Sequence, residues 1–125
     1  MRVYLANNYA ARDYLVNEVV PLFQSKGFEI TSRWILNPPN QDWNSASQED
    51  FEDIGSANIL VLFADQTGPT PGRGKYVEFG MAVALGKDVV VIGENNCIFF
   101  NLPRVARVDT LEEALDLIEE CSDVR

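Results

Sequence analysis

NILVLFA at residues 58–64, PTPGRGKYVEFGMAVALG at 69–86 and DVVVI at 88–92 form one run: two apolar strands enclosing a loop and a helix. The loop is built from Gly68, Pro69, Pro71, Gly72 and Gly74, and it opens into a helix predicted near Tyr76–Leu85 that is almost wholly apolar. Continuous apolar strands joined by such a crossover are the mark of a parallel sheet covered on both faces. In open sheets of this kind, ligands bind where the carboxyl ends of strands meet the starts of helices. One carboxylate, Glu78, falls in the predicted first turn of that helix. It is either a partner of the helix dipole or a reactive group.

The same alternation extends outward in both directions. Arg2–Ala6 reads as a short strand, and Ala10–Lys26 as a helix with an apolar stripe through Tyr14, Leu15, Val19, Leu22 and Phe23, stopped by Gly27. Pro21 lies within it and predicts a kink or a break into two shorter helices. Phe28–Trp34 alternates as a strand with one wetter face, suited to a sheet edge. Leu36–Ser45 reads as a long loop, and Ser47 followed by Asp50 predicts a helix from about Gln48 to Ser56. Beyond the central run, Gly93–Pro103 is irregular, Val105–Val108 is a last strand, and Asp109 or Thr110 caps a helix over Leu111–Cys121. Strands alternating with helices in this way imply a single α/β domain over residues 1–125. Its expected form is a doubly wound, mainly parallel five-stranded sheet in a three-layer α/β/α, flavodoxin-like arrangement.

Composition narrows the chemistry. The chain has 125 residues, a net charge of −9 and no histidine. No basic stripe accompanies that charge, which argues against bulk DNA or RNA as a partner. No apolar run approaches the ~18 residues of a membrane helix, and MRVYLANN reads as a strand rather than a leader, so a cytoplasmic protein away from membranes is expected. Cys97 and Cys121, without histidine or a CxxC motif, read as free thiols and not as a zinc site. Carboxylates remain open as a hard-cation site on composition alone.

An acid in a helix's first turn is worth ~0.3–1 kcal/mol against the dipole, which is the structural reading of Glu78. The apolar residues that follow it predict a helix buried on both sides, and the Gly/Pro loop ahead of it is more than a connector. A half-buried carboxylate beside such a loop suits a nucleophile or a general acid/base. Asp50 and Asp53 precede the central strand, and with Glu49 and Glu52 they read as a solvated acidic face from which one member pointing back toward the strand ends joins the site. Asp65 stands just after the central strand, a position common to catalytic acids and to turns. PGRGK matches neither dinucleotide nor P-loop fingerprints. Arg12, at the start of the first helix after Asn7–Asn8, is either an anion contact or an ordinary surface arginine, and Tyr4 is either core or a hydroxyl donor to a carboxylate.

Three segments taken in order, VYLANNYAARD, SQEDFEDIGSANILVLFAD and GRGKYVEFGMAVALGKDVVVIG, resemble the nucleoside 2-deoxyribosyltransferase family, which includes the 2′-deoxynucleoside 5′-phosphate N-hydrolases. The most specific piece is Val77–Lys87. The resemblance implies a nucleoside deoxyribosyltransferase-like fold and cleavage or transfer of an N-glycosidic bond on small 2′-deoxynucleosides or their 5′-monophosphates, without a cofactor. It makes Glu78 the nucleophile that forms a glycosyl-enzyme, Asp50 the acid that contacts the sugar and poises it, and Tyr4 the first-strand phenol beside it. Asn7, Arg12, Asp65 and Gly74 fall among the substrate contacts. Asn101, or Asn96 as the alternative, corresponds to a polar residue supplied by a neighbouring subunit, which implies a homodimer or larger homo-oligomer. The chain differs from the family at Gly72, where transferases often carry an aspartate, at Asn7–Asn8–Tyr9, where nucleotide hydrolases carry a Gly/Ser-rich loop, and in a longer loop between Asp65 and Glu78. A catalytically weak nucleotide-binding module of the same fold is the alternative.

Overall fold

The computed structural model describes residues 1–64 and 72–124. Its sheet has five parallel strands, β1 (Arg2–Ala6), β2 (Glu29–Ile30), β3 (Ile59–Phe63), β4 (Asp88–Ile92) and β5 (Val105–Val108), in the order β2-β1-β3-β4-β5. This is the doubly wound α/β arrangement, and it reverses direction between β1 and β3, where the crevice for a ligand opens. The registers Tyr4↔Leu60 and Val61↔Val90 put the three apolar strands side by side. Val3 to Ala6, Leu60 to Leu62 and Val89 to Val91 are all buried there. Strand runs this apolar are stable only when helices cover both faces.

The first helical region winds as α1 (Arg12–Tyr14), a π-helical turn Leu15–Val19 and α2 (Val20–Ser25). Pro21 falls in the first turn of α2, where its missing N–H removes little, and the wider turn ahead of it absorbs its ring. Of the expected stripe, Leu15, Val19 and Phe23 are fully buried, whereas Tyr14 and Leu22 lie on the exposed side of the helix. Lys26, just past α2, pairs at 2.6 Å with Glu119 of α5 (Leu111–Val124), so these helices lie together on one face of the sheet. Thr110 caps α5: its Oγ1 accepts the Glu113 amide at 3.1 Å and donates to the Glu113 carboxylate at 3.2 Å.

Three expectations are corrected. The alternating segment Phe28–Trp34 keeps only Glu29–Ile30 as strand and then turns into a 3₁₀ helix, Arg33–Leu36. Side chains compete with the ladder there: Thr31 Oγ1 donates to the Asp53 carbonyl at 2.9 Å, the Arg33 amide donates to the Asp53 carboxylate at 3.0 Å, and the Trp34 indole donates to the Leu5 carbonyl at 2.9 Å. The helix expected from Gln48 begins earlier, as α3 (Trp43–Ser56), because Asp42 and not Ser47 is the cap, its side chain accepting the Ser45 amide at 3.2 Å. Finally, α4 (Gly74–Ala84) is not buried on both sides: Lys75, Phe79 and Ala82 are buried, while Val77 is 58% exposed.

Asp53 is also not part of a solvated face. It is 5% exposed, accepts the Arg33 backbone amide, and pairs with the Arg33 guanidinium at 2.8 Å. Removing it leaves buried donors unsatisfied, which costs about 1–3 kcal/mol. We expect Asp53→Ala to lower stability by about that amount in urea unfolding, with Glu52→Ala, whose pairing to Arg33 is exposed, within about 0.5 kcal/mol of wild type. Equal effects of the two substitutions would refute the assignment.

Candidate active site

The segment after the carboxyl end of β1, the 3₁₀ turn after β2 with the residues that follow it, and the starts of α3 and α4 enclose a cleft of about 420 Å³. Its lining includes Asn7 and Asn8 after β1, Trp34 and Asn37 after β2, Trp43 and Asp50 from α3, and Gly74, Lys75 and Glu78 from α4. The topology explains the convergence, because each contributing segment leaves the same edge of the sheet.

Glu78 lies past the first turn of α4, which carries no acid, so the dipole reading loses its geometric basis. Its position is set from below instead. Tyr4, fully buried in β1, donates its phenolic hydrogen to Glu78 Oε2. Burial pushes the Tyr4 phenol far up, with the Glu78 and Asp50 charges adding to it, so it stays a neutral donor. Burial also raises the Glu78 carboxyl, to about 8; the Tyr4 hydrogen bond opposes this and the Asp50 charge reinforces it. Asp50, half-buried, is raised to about 6, first by burial and then by Asp53 and Glu49, with Arg33 pulling the other way. Two carboxyls with separated proton affinities thus share one cleft.

The remaining expected residues divide. Asn7 lines the cleft, buried, with its Oδ1 accepting the Asn8 amide at 2.7 Å, and Gly74 lines it from the start of α4. Arg12 does not line it. Its guanidinium stacks 4.2 Å over the Tyr9 ring and donates to the Asn37 carbonyl at 2.8 Å, bracing the wall from behind. Asn96 and Asn101 are exposed in the segment after β4, away from the cleft of their own chain, where Asn101 accepts from Asn95 at 3.3 Å. Asp65 lies outside the described residues. Gly72 is held by close packing, since a Cβ there would meet Asn8 Oδ1 at 2.0 Å; an aspartate at this position would require Asn8 to move.

Several lining residues escaped the sequence reading. Lys75 is 2% exposed and donates to the Phe63 carbonyl at 2.9 Å, tying α4 to the end of β3. Tyr9, Trp34 and Trp43 make an aromatic wall, with Trp43 87% exposed at the mouth. The Asp42 cap followed by Ser45 was the available signal for Trp43, because it starts α3 early enough to bring that ring to the cleft. Among the described residues no cluster of acidic or sulfur ligands is arranged to hold a metal ion, and no helix is long and apolar enough to cross a membrane.

No protein-family model and no curated protein matches the chain. Solved structures do share its fold. A CMP N-glycosidase of Clostridium botulinum is similar at 17% identity and a TM-score of 0.69, over 96% of this chain and 99% of that one. A 2-deoxyribosyltransferase of Bacillus psychrosaccharolyticus is similar at 16% identity and a TM-score of 0.73, over 93% and 91%. The chain therefore shares the fold of these two structures.

The raised Glu78 carboxyl links the site to stability. Its ordinary value of 4.5 applies in the unfolded chain and about 8 in the folded one, so its contribution is intact below the former and is lost as pH rises through the latter. Glu78→Gln, which cannot ionise, is expected to gain stability over wild type progressively from about pH 5 to about pH 9, by the order of a few kcal/mol at the upper end. A pH-independent difference in calorimetric melting between the two proteins would contradict that burial.

Proposed function

We propose that the protein cleaves or transfers the N-glycosidic bond of 2′-deoxynucleosides or their 5′-monophosphates, with Glu78 as nucleophile. The observation that carries this is the buried phenol of Tyr4 holding one oxygen of Glu78 at the floor of a cleft that also contains Asp50. A carboxylate fixed at one oxygen and open at the other is suited to attack on an anomeric carbon. The shared fold with an N-glycosidase and a 2-deoxyribosyltransferase supports the same class of reaction.

In the first step a Glu78 oxygen forms a bond to C1′ as the bond from C1′ to the base nitrogen breaks. The electron pair leaves with the base, which takes up a proton from solvent. Asp50 orients the sugar. In the second step water, or the nitrogen of a second base, attacks C1′, gives its proton to solvent, and frees the Glu78 carboxylate. Hydrolysis and transfer differ only in that acceptor. The phenol of Tyr4 stabilises the ionised form of Glu78, which favours the carboxylate required for attack.

Incubation with deoxynucleosides and their monophosphates, with and without a second base, should show base release or exchange by chromatography. We expect Glu78→Gln to lower kcat at least about 10³-fold and Asp50→Asn about 10²-fold, with the fold retained. The kcat/KM of wild type should rise with pH toward a plateau above about 8, as Glu78 ionises. Tyr4→Phe removes the bond that lowers the Glu78 value, so this limb should move to higher pH. Undiminished turnover in Glu78→Gln would end the proposal; tight binding without turnover in wild type would leave a binding module in its place.

We further propose a homo-oligomer in which Asn101, or Asn96, enters the neighbouring chain's cleft. Exposed apolar side chains beside that segment, Ile98 at 79% and Phe99 at 56%, support a contact there. Mixing Asn101→Ala with Glu78→Gln should then restore activity that neither variant has alone, because one cleft of the mixed assembly is intact. Active monomers in light scattering would refute the shared site.

A further inference from the structure

We propose that the cleft discriminates against a 5′-phosphate and takes the uncharged nucleoside. This rests on the nucleoside chemistry proposed above and specifies its substrate. Among the described lining residues, the charged ones are Asp50, Glu78 and Lys75. The single cation is 2% exposed, with its Nζ already committed to the Phe63 carbonyl at 2.9 Å. The guanidinium nearest the wall, Arg12, is spent on the Tyr9 ring and the Asn37 carbonyl. Arg73, ahead of α4, is exposed and not among the lining residues. Residues 65–71, DQTGPTP, add no lysine or arginine to the chain at this point and one aspartate.

A nucleoside monophosphate carries about −1.5 to −2 charges near neutral pH, which in this cleft would face Asp50 and Glu78, with the buried, hydrogen-bonded Lys75 as the one cation among the described lining residues. Sites that hold a phosphate use a guanidinium fork, an ammonium or a run of backbone amides at a helix start. Here the neutral hydrogen-bonding groups Asn7, Asn8, Asn37 and Gln41 dominate the polar lining. Side-chain amides pair well with sugar hydroxyls and supply nothing to neutralise a dianion. The net charge of −9 extends the bias to the approach of the ligand.

The test compares 2′-deoxycytidine and 2′-deoxyadenosine with their 5′-monophosphates. Both tryptophans, Trp34 and Trp43, line the cleft, so quenching of intrinsic fluorescence reports binding to the inactive Glu78→Gln protein directly. At low ionic strength we expect each nucleoside to bind, and in wild type to react, at least about tenfold better than its monophosphate. Added salt should narrow that ratio by screening the repulsion, and Asp50→Asn should narrow it in the binding assay by removing one of its sources. A monophosphate that binds as tightly as its nucleoside, or more tightly, overturns the proposal, and loss of that affinity in Arg73→Ala would identify the cation responsible. Turnover of monophosphates alone would retain the glycosidic chemistry and reject this specificity. Preferential binding of nucleosides without turnover would do the reverse.

Discussion

The hydrogen bond from Tyr4 to Glu78 joins the central strand β1 to helix α4 across the floor of the cleft, and the chemistry of the site depends on it. A phenol fully buried in β1 is costly to leave without an acceptor, and a carboxylate drawn toward the core needs a donor. Each group satisfies the other's requirement. The result is a carboxylate with one oxygen fixed and its proton affinity set by opposing influences, burial raising it and the phenol lowering it.

Around that pair the fold supplies support in layers. Lys75 anchors the first turn of α4 to the end of β3, and the Tyr76 hydroxyl reaches the Ala64 carbonyl at 3.2 Å, so the helix carrying Glu78 is tied to the strand beside Tyr4. On the other wall, Arg12, Asn37, Glu49, Arg33 and Asp53 form a continuous polar chain that links the loop after β2 to α3. Helix α3 carries Asp50, so the chain fixes the second carboxyl relative to the first. Side chains locked in this way reduce the reorganisation a reaction would otherwise require.

The strands and their order were legible because apolar runs such as Ile59–Phe63 and Asp88–Ile92 permit few alternatives once crossovers must be right-handed. Glu78 was legible from its place between the Gly/Pro loop and an apolar helix, whereas Asp50 and Tyr4 were singled out from open alternatives by the family resemblance. The segment from Phe28 to Asp42 was not. Its alternation favours a strand locally, but its hydrogen-bonding groups find better partners in Asp53 and Leu5, far away in sequence. The aromatic wall followed from that error, since Trp34 and Trp43 reach the cleft only once the edge strand stops early and α3 starts early.

The sequence by itself determined the alternation of strands and helices, the acidic charge, and the absence of histidine that directs any acid–base chemistry to carboxyls. These are properties of local pattern and composition, and they need no knowledge of what touches what. Only the tertiary structure decided that Glu78 is a carboxyl lowered onto a buried phenol rather than a dipole partner, that Asp53 is structural while Asp50 faces the cleft, and that Arg12 braces a wall. A side chain's proton affinity and its availability to a ligand depend on burial and on partners brought together from opposite ends of the chain. No window of sequence contains those.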